Sequence, residues 1–169
     1  KLAKVCAQLK DNKEAENQIN LGLAILNDLK TTEDNMAVNF RGAMGAYMDI
    51  GNYEKAIEYG LKGVEVAQKV GIEVLDRFYF TLGRLYSLQS NSKQSIEYYK
   101  KNIEECLKKM PGTERKIASL YHEIAEEYDK INDKENAAVY RNLIFGQLYL
   151  LKMYDKAILN KIFACHDYA

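Results

Sequence analysis

Apolar positions recur three and four residues apart along nearly the whole chain, and short polar segments interrupt them at regular intervals. Those segments, 11–14, 51–55, 90–94 and 132–136, read as turns, and each leads into a small residue: Ala15, Ala56, Ser95 and Ala137. The four anchors are separated by 41, 39 and 42 residues. A period near forty implies one supersecondary unit stacked on copies of itself. Nine residues before each anchor stand Cys6, Tyr47, Tyr86 and Tyr128, and sixteen before the last three stand Phe40, Tyr79 and Tyr121. Twelve before are Ala3, Met44, Gly83 and Ala125; thirteen before are Leu2, Ala43, Leu82 and Ile124. Small and apolar residues thus alternate with aromatics at helical spacing, as tight helix pairing requires. Tyr47, Tyr86 and Tyr128 are expected to be spacers inside the core.

Capping signals turn the pattern into a map. Residues 1–9 read as the tail of a first helix and 12–30 as its partner; Thr31 or Thr32 caps a helix over 33–50, with Asp34 reaching back, and Gly51 closes it. Gly71, a left-handed cap, separates 53–70 from 72–89, and Asn91 with Gln94 opens 92–109. Pro111 and Gly112 force a break. Thr113 then caps a helix to about 131, and Asp133 starts another to about 151. Residues 153–168 are expected to form a separate terminal helix, because a stack needs a cover for its last apolar face. Lys1 falls inside the first helical pattern, so the chain reads as a segment of a longer one.

From Phe40 the chain reads F-x-x-A-M-x-x-Y-x-x-x-G-x-Y-x-x-A, and Leu82, Gly83 and Tyr86 repeat the first half of that string. The string resembles the tetratricopeptide repeat. The resemblance implies an all-α, right-handed α-α superhelix of about four helix pairs. Its units are placed at about 1–30, 33–70, 72–109 and 113–151, followed by the terminal helix 153–168. Several positions depart from the family pattern. Met44 replaces the usual small residue, Gly60 stands where a large aromatic is typical, and no proline closes the second helix of the first two units. The periods also exceed the family's roughly 34 residues, which implies longer helices, as in the repeat domains of bacterial regulators that sense peptides.

In that family the first helix of each pair lines a concave groove, at positions 18, 15, 11, 8 and 7 residues before the anchor. The resemblance therefore assigns the groove to Val38, Arg41, Gly45, Met48 and Asp49; to Arg77, Phe80, Arg84, Ser87 and Leu88; and to Ser119, His122, Glu126, Asp129 and Lys130. Arg41, Met48, Arg77, Phe80, Arg84 and His122 are the candidate partner-binding residues. Guanidinium forks beside apolar surface suit a peptide carboxylate with an apolar neighbour. The competing reading pairs the same arginines with carboxylates of adjacent helices, as a solvated face worth little. In the chaperone-binding subset of the family, asparagines occupy the positions held here by Gly45 and Arg84, which argues against a chaperone tail as the partner.

Composition narrows the rest. The 24 basic and 24 acidic residues leave no net field to gather nucleic acid or an anionic membrane. The longest nearly apolar run, Leu143 to Leu151, is far shorter than the roughly 20 residues of a membrane span. Cys6, Cys106 and Cys165 are too widely spaced for a disulfide framework or a metal site, which fits a cytoplasmic location. Cys165, His166 and Asp167 are consecutive, and neighbours on a helix point about 100° apart, so they make no triad. Glu104 with Glu105, and Glu126 with Glu127, read as solvated faces, and Lys108, Lys109, Arg115 and Lys116 as charged helix ends. Gly42, Gly45 and Gly51 lie within or at the end of a helix, which is no phosphate cradle. The expectation is a non-catalytic scaffold or adaptor that binds a protein or peptide segment, with no cofactor, metal, nucleic acid or membrane. The alternative is a peptide-sensing regulatory domain of a larger signalling protein or transcription regulator. Self-association through the terminal helices is a third expectation, motivated by the apolar face at Leu2, Val5 and Leu9.

Overall fold

The turns set the architecture, because the same local geometry recurs at each of them. The computed structural model of the protein describes residues 12–28, 32–71 and 74–166. Among these it holds seven helices and no strand: α1 Asn12–Asp28, α2 Glu33–Asp49, α3 Tyr53–Val70, α4 Leu75–Leu88, α5 Ser92–Lys108, α6 Glu114–Lys130 and α7 Lys134–His166. The expected helix over 1–9, including Leu2, Val5 and Cys6, lies outside the described residues, as do Thr31 and Asp167. The chain divides within α5 into two compact units, one up to residue 98 and one from 99 onward.

Three turns share one design. Gly51, Ser90 and Asn132, each five residues before an anchor, take the left-handed conformation at φ 77°, 58° and 60°. The amide of the next residue donates back to the carbonyl of a tyrosine in each case: Asn52 to Tyr47, Asn91 to Tyr86 and Asp133 to Tyr128, all at 2.9 Å. Asn52, Asn91 and Asp133 then cap the following helix, accepting from the amides of Lys55 (3.2 Å), Gln94 (3.3 Å) and Asn136 (3.1 Å). Each cap is worth about 1 kcal/mol. The anchor sits one turn further on, where small size is needed: Ala15, Ala56, Ser95 and Ala137 are fully buried.

In the first unit α2 packs against α1 on one side and α3 on the other, and α4 packs against α3. Thr32 caps α2 through the Asn35 amide, and Gly71 ends α3 in the left-handed conformation that its sequence predicts. Tyr47 is buried, and its hydroxyl donates to Asn20 Oδ1 at 2.6 Å. The Lys55 ammonium pairs with Glu16 and lies 5.4 Å from the Tyr47 ring centre. Burial raises the Tyr47 phenol above its ordinary range, although Lys55 pulls the other way.

Two departures from the repeat pattern prove to be one exchange of size. A Cβ added at Gly60 would stand 2.8 Å from both Met44 Sδ and Leu82 Cδ2, so the large Met44 occupies the room that the glycine leaves. At the same registers one repeat later the sizes are reversed, Gly83 and Tyr99. Gly63 is more constrained still, since any Cβ there would overlap the Phe78 ring.

In the second unit α6 and α7 form the hairpin. Tyr99, Asn102, Ile103 and Cys106 of α5 are buried, and the Tyr99 hydroxyl donates to Glu123 at 3.4 Å. Thr113 precedes α6 but does not cap it. Its hydroxyl donates to the Cys106 carbonyl at 2.7 Å, and Glu114 instead accepts from the Gly112 amide at 2.8 Å. The expected boundary before 153 is absent: α7 continues unbroken to His166, consistent with the lack of Gly or Pro between 147 and 166. Glu127 also departs from the solvated face expected of it. It is only 2% exposed, because it stands at the register that Leu85 fills one repeat earlier, and it bonds Lys130 at 2.5 Å.

Candidate functional site

Each hairpin carries an aromatic trio that the anchor spacing locates only in part. Tyr59, Tyr98 and Tyr140, three residues after successive anchors, stack on Tyr47, Tyr86 and Tyr128 with centroids 5.4, 5.4 and 5.5 Å apart. The same three rings meet Phe40, Tyr79 and Tyr121 in tilted geometry at 6.1, 6.2 and 5.8 Å. Such pairs contribute about 0.5–1.5 kcal/mol beyond their buried area. Tyr47 is wholly buried and Tyr86 and Tyr128 are half-buried, so these rings hold the pairs together. In the second unit Lys100 caps its trio, 5.9 Å from the Tyr128 ring and 5.7 Å from Tyr140. Burial opposes the Lys100 charge, and the two tyrosine hydroxyls outweigh it, so its ammonium is held above the usual lysine range.

Five of the candidate residues lie in the first unit, on the faces of α2 and α4 turned away from the buried stripe. On α4, Arg77, Thr81, Arg84 and Leu88 succeed one another at helical spacing; Arg77, Arg84 and Leu88 are exposed, while Phe80 at the edge of the strip is half-buried. On α2, Val38 is exposed, and Arg41 and Met48 are half-buried. Added Cβ atoms at Gly42 and Gly45 would meet none of the described residues within 4 Å. His122 belongs to the second unit. It is exposed on α6 with Glu126 3.4 Å away, a carboxylate partner whose i, i+4 offset the sequence already contains.

The arginines bear on the paired reading of this face. Lys55, Lys62, Lys108, Lys130, Lys134 and Arg141 each find a carboxylate. Arg41, Arg77 and Arg84 make no ion pair with any described carboxylate, and Arg41 Nε is buried without an acceptor. The expected pairing with adjacent helices is therefore not what the described residues form. Asp129, assigned to the same kind of face by register, is instead committed to Lys134 and Arg141. The Lys134 bond is the larger of the effects that hold its carboxyl below the usual range.

A separate open depression of about 440 Å³ lies at the turn end of the first unit, lined by Asn12, Glu16, Gly51, Asn52, Glu54 and Gln89. Glu16 there is already engaged by Lys55. Among the described residues no three His, Cys, Asp or Glu side chains gather as a metal site would require, and no helix is long and apolar enough to cross a membrane.

Comparison with known proteins agrees with this architecture. A family model described as tetratricopeptide repeat matches residues 76–107, which span α4, its turn and nearly all of α5. The crystal structure of BtubC (BKLC) from P. vanneervenii superposes with a TM-score of 0.71 at 16% identity, over 89% of this chain and 63% of that one. At that identity the likeness is one of fold, and this chain spans less than two thirds of the other's length. No curated protein matches the sequence.

Proposed function

We propose that the chain is a non-catalytic scaffold holding a segment of another protein on its first-helix faces, the protein–protein interaction role that tetratricopeptide repeats, matched here over residues 76–107, generally play. The contact residues of the first unit are Arg41, Met48, Arg77, Phe80 and Arg84; His122 takes the same part on the α6 face. The observation that carries the reading is the set of three guanidinium groups left without a carboxylate beside the exposed Val38 and Leu88. The exposed Arg77 and Arg84 lose little by waiting for a partner, whereas a partner carboxylate that excludes water gains a charge-assisted bond worth about 1.5–3 kcal/mol.

The test is affinity capture from the native host with the wild-type chain and with Arg84→Glu, then titration of any protein that only the wild type retains. Arg84→Ala is expected to weaken that complex by about 1–3 kcal/mol while leaving the melting temperature nearly unchanged, since the side chain is exposed and unpaired. Equal affinity for the two forms would remove α4 from the interface.

A further inference from the structure

We infer that the segment held on α4 is acidic and extended in the polyproline II form, with two carboxylates three residues apart; this rests on the protein-binding reading above and names the chemistry of its partner. Charge comes first. In a chain with equal numbers of acidic and basic residues, leaving Arg77 and Arg84 unpaired on one strip makes a local positive surface that the whole molecule lacks. A segment bearing negative charge complements it, and a neutral one does not.

Spacing comes second. Arg77 and Arg84 are seven residues apart on one helix face, so their Cα atoms are separated by about 10 Å along the axis. A polyproline II segment has three residues per turn and rises about 3.1 Å per residue, which puts side chains i and i+3 on one face about 9 Å apart. A β-strand would offer i and i+2 at about 7 Å or i and i+4 at about 13 Å, a poorer match. The two intervening residues of the segment then lie over Thr81 and beside Phe80, and a residue following the second carboxylate reaches Leu88, where an apolar side chain is suited. On α2, Arg41 Nε is a buried donor with no acceptor among the described residues, the kind of unmet group that an added acceptor satisfies.

The probe is a fluorescein-labelled peptide Asp-Pro-Leu-Asp-Pro-Leu with both ends blocked, titrated by fluorescence anisotropy against the full chain. Binding is expected to weaken at least about tenfold when Asn replaces both Asp, when the two Asp are made adjacent, and in Arg77→Gln or Arg84→Gln, each the loss of one charge-assisted bond. Lys62→Gln, which removes a charge that already pairs with Glu58, should leave the affinity unchanged, and circular dichroism should report the same helix content throughout. Equal binding of the Asp and Asn peptides overturns the acidic assignment. Equal binding of the spaced and adjacent forms overturns the extended register. A doubly phosphoserine-substituted peptide that binds more than tenfold tighter would make the partner a phosphopeptide and overturn it also. Failure here is distinct from failure of the broader reading: if no peptide binds but a captured host protein still depends on Arg84, only the partner chemistry falls.

Discussion

α3 and α7 leave the same kind of turn, carry the same buried alanine and stack the same tyrosine, yet beyond that first turn they diverge. On α3 the residues four, seven and eleven after the anchor are Gly60, Gly63 and Ala67, all buried, and α4 presses Leu82 and Phe78 against the two glycines. On α7 the same registers hold Arg141, Ile144 and Leu148, with Phe145 beside them 72% exposed. The first helix has been reduced to its backbone so that the next repeat can approach. The second, with no helix laid over it among the described residues, has kept large side chains and turned an arginine back to Asp129. Between these two helices the small residues therefore mark the one that is overlaid; α5, with the larger Tyr99, Asn102 and Cys106 buried at the same registers, shows that size alone does not decide burial.

The contrast can be broken or sharpened by five substitutions. Gly63→Ala is expected to cost about 3 kcal/mol in urea unfolding, because the new methyl meets the rigid Phe78 ring and the helix pair must separate. A cost below about 1 kcal/mol would mean that α4 is not held against α3. Met44→Ala should cost about 2 kcal/mol by leaving a cavity. Combined with Gly60→Ala it should cost less than the sum of the two single changes, by at least about 0.5 kcal/mol, since the added methyl enters the vacated space. Strict additivity in the double-mutant cycle would refute the exchange of size. Gly146→Ala on α7, where a Cβ meets nothing within 4 Å, should stabilise by about 0.5–1 kcal/mol, the opposite sign to Gly63→Ala. Smallest of all, Phe145→Ser should change stability by no more than about 0.5 kcal/mol, and a large loss measured by thermal melting would show that α7 is covered after all.

The local part of this fold was legible and the spatial part was not. Helix ends were readable because caps and left-handed residues act within four positions of one another: Asn52, Gly71 and Asn91 do what their sequence neighbourhood dictates. The anchor register located Tyr47, Tyr86 and Tyr128, but counting only backward from the anchors missed Tyr59, Tyr98 and Tyr140, which repeat just as regularly on the second helices. Glu127 was misread because it was considered with its neighbour Glu126 rather than with Leu85, its counterpart a repeat earlier. The end of α7 went the other way. Local signals gave no boundary, and the requirement that a stack be covered supplied one that the chain does not have. Met44 and Gly60 each look like faults along the sequence, and only their meeting in space shows that they compensate. For the arginines, the sequence allowed paired or unpaired states, and no counting could choose between them.

The recurring turn bears on how the molecule assembles in time. Each turn is closed by bonds spanning no more than five residues, so a hairpin can find its shape before any distant part of the chain is in place. Such short loops have little closure entropy to overcome, and chains dominated by near-neighbour contacts fold fast. Three equivalent nuclei then compete to start, and Gly51 has an advantage over Ser90 and Asn132 because its left-handed backbone carries no side-chain penalty. The α2–α3 hairpin is thus expected to form first, which pulsed hydrogen exchange would report as earliest protection of the amides of Asn52 and Ala56.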